Sequence, residues 1–121
     1  MTAIARLAGV SLDTADPQRL AQFYRELLDL ETVYDTDDFV ALKGAAIFLT
    51  AVRIENHVPP EWPSGSVPKQ LHLELAADDL EAAESRAVSL GATRPAEQPG
   101  PASWRVLIDP GVMSKIGRAH V

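Results

Sequence analysis

Gly9-Val10-Ser11-Leu12-Asp13-Thr14-Ala15-Asp16 is the stretch that decides the fold, because His72-Leu73-Glu74-Leu75-Ala76-Ala77-Asp78-Asp79 repeats its plan sixty-three residues later. Each is a short run rich in alternating apolar residues that ends in an acidic residue at the threshold of a helical pattern. After the first, Asp16 has the chemistry of a helix N-cap and Pro17 stands where a missing N–H costs nothing. Leu20, Phe23, Tyr24, Leu27 and Leu28 then recur at helical spacing and predict one inward stripe. After the second, Asp78 is expected to cap a helix with Glu81 as its capping-box partner. Leu80, Ala83, Ala87 and Leu90 give a weaker stripe, and Gly91 marks the stop.

Working outward, the first strand is expected over Leu7 to Leu12. Thr32-Val33-Tyr34, Phe39-Val40-Ala41-Leu42 and Ile47-Phe48-Leu49 are β-prone runs, separated by Asp35-Thr36-Asp37-Asp38 and Lys43-Gly44 as turns. Val58 to Pro68 holds Pro59, Pro60, Pro63 and Pro68, which block helix and central strand and make a semi-rigid connection. The order then restarts with a strand over Gln70 to Leu75, Leu71, Leu73 and Leu75 sharing a face. A helix follows, and a last legible strand runs from Trp104 to Ile108. Further echoes of the repeat are Leu28-Asp29-Leu30 over Leu90-Gly91-Ala92 and Phe39-Val40-Ala41-Leu42 over Trp104-Arg105-Val106-Leu107.

A chain of 121 residues has room for one core. Its net charge of −6 argues against nucleic acid and anionic membrane as partners. No cysteine is present, which excludes disulfides and thiolate metal sites. No apolar run approaches the length of a membrane span, and a cytoplasmic protein is expected. There is no nucleophile motif, glycine-rich phosphate loop or helix-borne metal motif.

From about residue 5 to 111 the sequence resembles the glyoxalase/bleomycin resistance protein/dioxygenase, or vicinal oxygen chelate, superfamily, and within it the glyoxalase-like subgroup. The segments that carry the resemblance are Asp16-Pro17 with Leu20-Ala21-Gln22-Phe23-Tyr24, Leu27-Leu28-Asp29-Leu30-Glu31, Arg53-Ile54 with Pro59-Pro60-Glu61-Trp62-Pro63, Gln70 to Leu75, Asp78-Asp79-Leu80-Glu81-Ala82-Ala83 and Leu90-Gly91-Ala92. The resemblance implies an α+β fold in which two βαβββ modules, about 5–54 and 69–111 of a single domain over 1–111, form a cupped mixed sheet with helices outside. Asp29 departs from the family, which has glycine at this helix end, and a small stability cost is expected there.

Superfamily enzymes hold a divalent metal in the cup. Histidine or glutamine comes from the first strand of each module, and glutamate from the last. By that resemblance His72 occupies a ligand position; its counterpart Gly9 has no side chain, and Phe48-Leu49-Thr50-Ala51 offers no carboxylate. A divalent metal is therefore doubtful in this chain, with His72 as its one candidate ligand. The expected ligand pocket contains His72, Glu74 on the same strand face, Arg53 as a partner for an anionic group and Trp62 as a closing side chain. Trp104 is expected in the core or a dimer interface, and His57 in solvent. Two functions are open. One is a homodimeric protein that binds a small organic molecule without metal. The other is a metal-dependent lyase, isomerase or dioxygenase acting on a small oxygenated substrate.

The C-terminus breaks the pattern. The resemblance implies a final strand after Asp109-Pro110, but the chain continues Gly111-Val112-Met113-Ser114-Lys115. Its last six residues, Ile116-Gly117-Arg118-Ala119-His120-Val121, translate a sequencing-library adapter, ATC GGA AGA GCA CAC GTC. Residues 112–121 are therefore expected to be a non-native tail, His120 to be no ligand, and the second module to lack its last strand.

Overall fold

The computed structural model describes residues 3–62, 65, 71–110 and 113–118, the last six by their backbone. The elements run β1 (Gly9–Thr14), α1 (Pro17–Leu28), β2 (Glu31–Asp35), β3 (Phe39–Lys43), β4 (Phe48–Arg53), β5 (His72–Ala77), α2 (Leu80–Ser89), β6 (Trp104–Ile108) and β7 (Met113–Arg118). This is an α+β arrangement of two modules, βαβββ followed by βαββ. The strands form two mixed sheets, β1-β4-β3-β2 and β5-β7-β6.

The repeat seen in the sequence becomes a repeat of register. β1 pairs parallel with β4 from Gly9↔Phe48 to Thr14↔Arg53. β5 pairs parallel with β7 over the same six steps, from His72↔Met113 to Ala77↔Arg118. The expectation that the second module lacks its last strand is thereby corrected, since the backbone of Met113–Arg118 fills the gap between β5 and β6. The physical reason is that a ladder is made by main-chain groups. Two unpaired strand edges accept an extended segment largely regardless of its side chains. What the second module lacks is a counterpart of β2, which shrinks to a single bridge, Thr93↔Ile108.

The outer edge of β6 is nevertheless closed. Thr93 and Ile108 exchange main-chain bonds of 2.7 and 2.8 Å. The Gln98 side-chain amide donates to the Val106 carbonyl and accepts from the Val106 N–H, both at 2.9 Å. The Trp104 N–H donates to the Gly100 carbonyl at 2.8 Å.

Helix α1 starts as its sequence predicts. Asp16 Oδ1 accepts from the Arg19 N–H at 3.1 Å, and Pro17 occupies the first turn. Asp29 ends it in the left-handed region at φ 54°, ψ 55°, the conformation for which glycine is favoured. Leu20, Ala21, Phe23 and Tyr24 are buried and Leu27 is half-buried, whereas Leu28, expected inward, is exposed. Tyr24 is buried, as the stripe predicts. Helix α2 is capped by Asp79, not Asp78, with its carboxylate accepting from the Ala82 N–H at 3.1 Å. Ala82 thus stands at the third helical position, so Glu81 cannot close a capping box and sits instead in the first turn beside the positive helix end.

Strands β1 and β5 slip by two residues from the expected bounds. Leu7 and Leu71 lie outside β1 and β5 and are exposed, while Gln70 lies outside the described residues. Val10, Leu12 and Thr14 of β1, Val40 and Leu42 of β3, and Leu49 and Ala51 of β4 face α1. Leu73, Leu75 and Ala77 of β5 and Leu107 of β6 join the same core. Both modules therefore share one apolar interior, with Leu80, Ala87 and Ala92 contributed by the second. Tyr24 and Asp109, 1% and 5% exposed, tie the modules inside it through a short hydrogen bond from the phenol to Asp109 Oδ2.

Candidate functional site

With the helix-facing residues assigned, strand alternation fixes which residues occupy the opposite, open face. In the first module these are Gly9, Ser11 and Asp13 of β1, Thr50 and Val52 of β4, and Phe39 and Ala41 of β3. In the second they include His72, Glu74 and Ala76 of β5.

His72 opens β5, and its Nε2 lies 3.4 Å from Glu74 Oε1. Period-two geometry explains the encounter, because residues two apart on a strand share a face. The imidazole is largely covered, with 28% of its side chain exposed, and the Glu74 carboxylate reaches out with 69% exposed. The arrangement can present a hydrogen-bonding imidazole whose ring is oriented by a neighbouring carboxylate.

The other two expected pocket residues have contacts of their own. Arg53 closes β4, and its Nε and Nη2 donate to the Asp37 carbonyl at 3.1 and 2.9 Å. Its own N–H donates to the Asp38 carbonyl at 2.7 Å. The residue is a clasp over the β2–β3 turn. Trp62 is half-buried in the connection after β4. No hydrogen bond or ring contact among the described residues brings Arg53 or Trp62 to His72. His57, expected in solvent, is half-buried instead; its Nε2 is shut off from solvent and has no partner among the described residues. His120 lies outside the described residues.

Sequence reading passed over a pair on the open face. Tyr34 and Phe39 stack with ring centroids 5.0 Å apart and planes 4° from parallel. A bulge between Thr32 and Tyr34 makes this possible, setting Tyr34 opposite Ala41 rather than opposite buried Val40. The available signal was two aromatics flanking the Asp35–Asp38 turn at a cross-strand diagonal.

Surface clefts among the described residues include the following two. One, of about 120 Å³, runs between α1 and the β2–β3 hairpin and is lined by Gln18, Gln22, Arg25 and Asp35. The other, of about 490 Å³, lies at the start of α2 among Asp78, Asp79, Glu81 and Arg105. Neither includes His72.

The register tests a divalent metal directly. Its four strand positions hold Gly9 without a donor, Thr50 with a hydroxyl, His72 with an imidazole, and a β7 whose sequence Met-Ser-Lys-Ile-Gly-Arg contains no carboxylate. Among the described residues no three His, Cys, Asp or Glu groups come together to hold an ion. A catalytic site needs about three converging protein ligands. These residues do not fit one.

A βαβββ module paired with a βαββ one, with helices on one face and an open sheet face on the other, defines a vicinal-oxygen-chelate-type protein. The chain belongs to the glyoxalase-like domain family, whose model matches residues 9–111. A glyoxalase/bleomycin resistance protein/dioxygenase family enzyme from Burkholderia phytofirmans PsJN superposes with a TM-score of 0.74 at 18% identity, covering 96% of this chain and 100% of that one. A lactoylglutathione lyase from Agrobacterium tumefaciens gives 0.66 at 19% identity, covering 98% and 96%. The bleomycin-binding protein of bleomycin-producing Streptomyces verticillus, complexed with copper(II)-bleomycin, gives 0.62 at 16% identity, covering 98% and 100%. At these identities the likeness is one of fold. No curated protein matches the chain.

Proposed function

We propose that this protein binds a small organic molecule on the open face of its sheets without a metal, with His72 and Glu74 as its polar contacts. The observation that carries the reading is the donor set. A mostly covered imidazole braced by a carboxylate occupies one family ligand position, and none of the other three supplies an imidazole or carboxylate to complete a metal centre. A pocket needs no metal to bind, because a mostly apolar surface with a few placed polar groups suffices. The binding of bleomycin by a protein of the same fold supports the class of function. Arg53 and Trp62 belong to this proposal as outer contacts, Arg53 through the Nη1 that its turn clasp leaves over. A homodimer in the cytoplasm is the setting this reading expects. Exposed Ile4, Leu7, Phe48 and Leu71 offer apolar surface for the dimer, and no described helix is long and apolar enough to cross a membrane.

The test is a screen of small organic compounds against the chain in a metal chelator, read by thermal shift and calorimetry. Binders should survive the chelator and weaken at least tenfold in His72→Ala, about 1.4 kcal/mol. Stoichiometric binding of zinc, manganese, nickel or iron(II) that disappears in His72→Ala would overturn the reading. It would put a metal-dependent lyase, isomerase or dioxygenase in its place.

A further inference from the structure

The two first-strand ligand positions are equivalent by register yet opposite in kind. Gly9 pairs with the first residue of β4, Phe48, as His72 pairs with the first residue of β7, Met113. The topology itself therefore admits a full side chain here, since His72 carries one. At Gly9 the space is taken. A Cβ placed on Gly9 would stand 2.8 Å from the Phe48 carbonyl oxygen and 3.2 Å from the Phe48 Cβ. The nearer atom is backbone, so it cannot swing aside as the end of a long side chain would. The Phe48 N–H donates to the Ala8 carbonyl at 2.9 Å and holds the β4 start against the strand it would have to leave. Gly9 lies outside the left-handed region, so glycine serves here for its lack of bulk and not for its backbone freedom.

We propose that the first module's metal-ligand position has been given over to strand packing, so that the main chain of β4 excludes any ligand side chain at residue 9. Restoring the family's ligands residue by residue would then not produce a metal site. This deepens the metal-free reading above and rests on it, adding that the absence of a ligand is enforced by the backbone and is more than a missing residue. It also makes the site one-sided. Imidazole and carboxylate contacts to a ligand come from β5, and the β1 position contributes bare main chain.

The experiment compares Gly9→Ala, Thr50→Glu and the double variant Gly9→His/Thr50→Glu with the unaltered chain. Thermal unfolding and calorimetric titration with zinc and nickel ions are the readouts. Gly9→Ala adds one methyl group and should lower the melting temperature by on the order of 5 °C or more. Thr50→Glu should cost less, because it extends a side chain already present and half-buried rather than adding one against a carbonyl. The double variant should melt lower still, or fail to fold, and should gain no stoichiometric metal. Gly9→Ala melting with the unaltered chain would overturn the proposal. So would a folded double variant that binds zinc one-to-one through His72. If the double variant does not fold, Gly9→Ala decides alone. Tight metal binding by the unaltered chain would instead sink the metal-free function while leaving the Gly9 result to stand or fall separately.

Discussion

The first and second modules share a register but reach a stable sheet by different means. In the first, four strands are all present, and α1 sets Leu20, Ala21, Phe23 and Tyr24 against Leu12, Val40, Leu42 and Ala51. In the second, the strand after the helix is reduced to one bridge. Helix α2 there buries only Leu80 and Ala87 fully, and a polar clamp helps hold it down. Glu84 accepts from Arg105 Nη1 at 2.9 Å and from Arg94 Nε, which fastens α2 to β6 and to the segment before it. The lesson is a division of labour. The module with the larger apolar stripe has no side chain at Gly9, and the module with the thinner stripe carries His72 at the equivalent register position.

That division can be broken or sharpened by experiment. The largest effect should come from the first module's stripe. Phe23→Ala should cost about 3–5 kcal/mol, as for a buried aromatic, while Ala83→Gly on α2 should cost about 1 kcal/mol. Denaturant titration checks both, and equal losses would end the claim that α1 carries more of the core. Next comes the bond between modules. Tyr24→Phe leaves Asp109 without the phenol donor and should destabilise by about 1–3 kcal/mol. Amide exchange should rise in β6 as well as in α1. Faster exchange confined to α1 would show that the modules are less coupled than the shared core implies. The smallest effect has the opposite sign. Asp29→Gly relieves a left-handed non-glycine residue and should stabilise by ~1 kcal/mol or less, with no change in any ligand affinity.

Local chemistry was the legible part of this chain. Asp16 and Pro17 announced α1, the bounds of β6 could be read directly, and the repeat was visible in a sixty-three-residue echo. Of the proposed site, the neighbourhood of His72 and Glu74 was legible, because strand alternation alone puts them on one face. Three failures have distinct physical causes. Asp78 and Asp79 are chemically equivalent caps, so which one is used depends on where β5 releases the chain. Leu28 fits the helical period, but it is the last residue of α1, where the period no longer settles burial. Strand β7 was misjudged because side-chain chemistry was asked a question that main-chain pairing answers. Arg53 shows the same limit from another side, since a turn carbonyl two strands away claims its guanidinium.

The closed edge of β6 has a consequence beyond this domain's own stability. A module short of one strand would ordinarily leave a row of bare amides and carbonyls on which another molecule's strand could dock and begin a fibre. Here a bridge at Ile108, a borrowed side-chain amide at Val106 and a turn at Trp104 occupy the rungs that such a strand would need. Gln98 therefore works as a one-residue strand, and replacing it should show first as turbidity in concentrated solution rather than as a lower melting point.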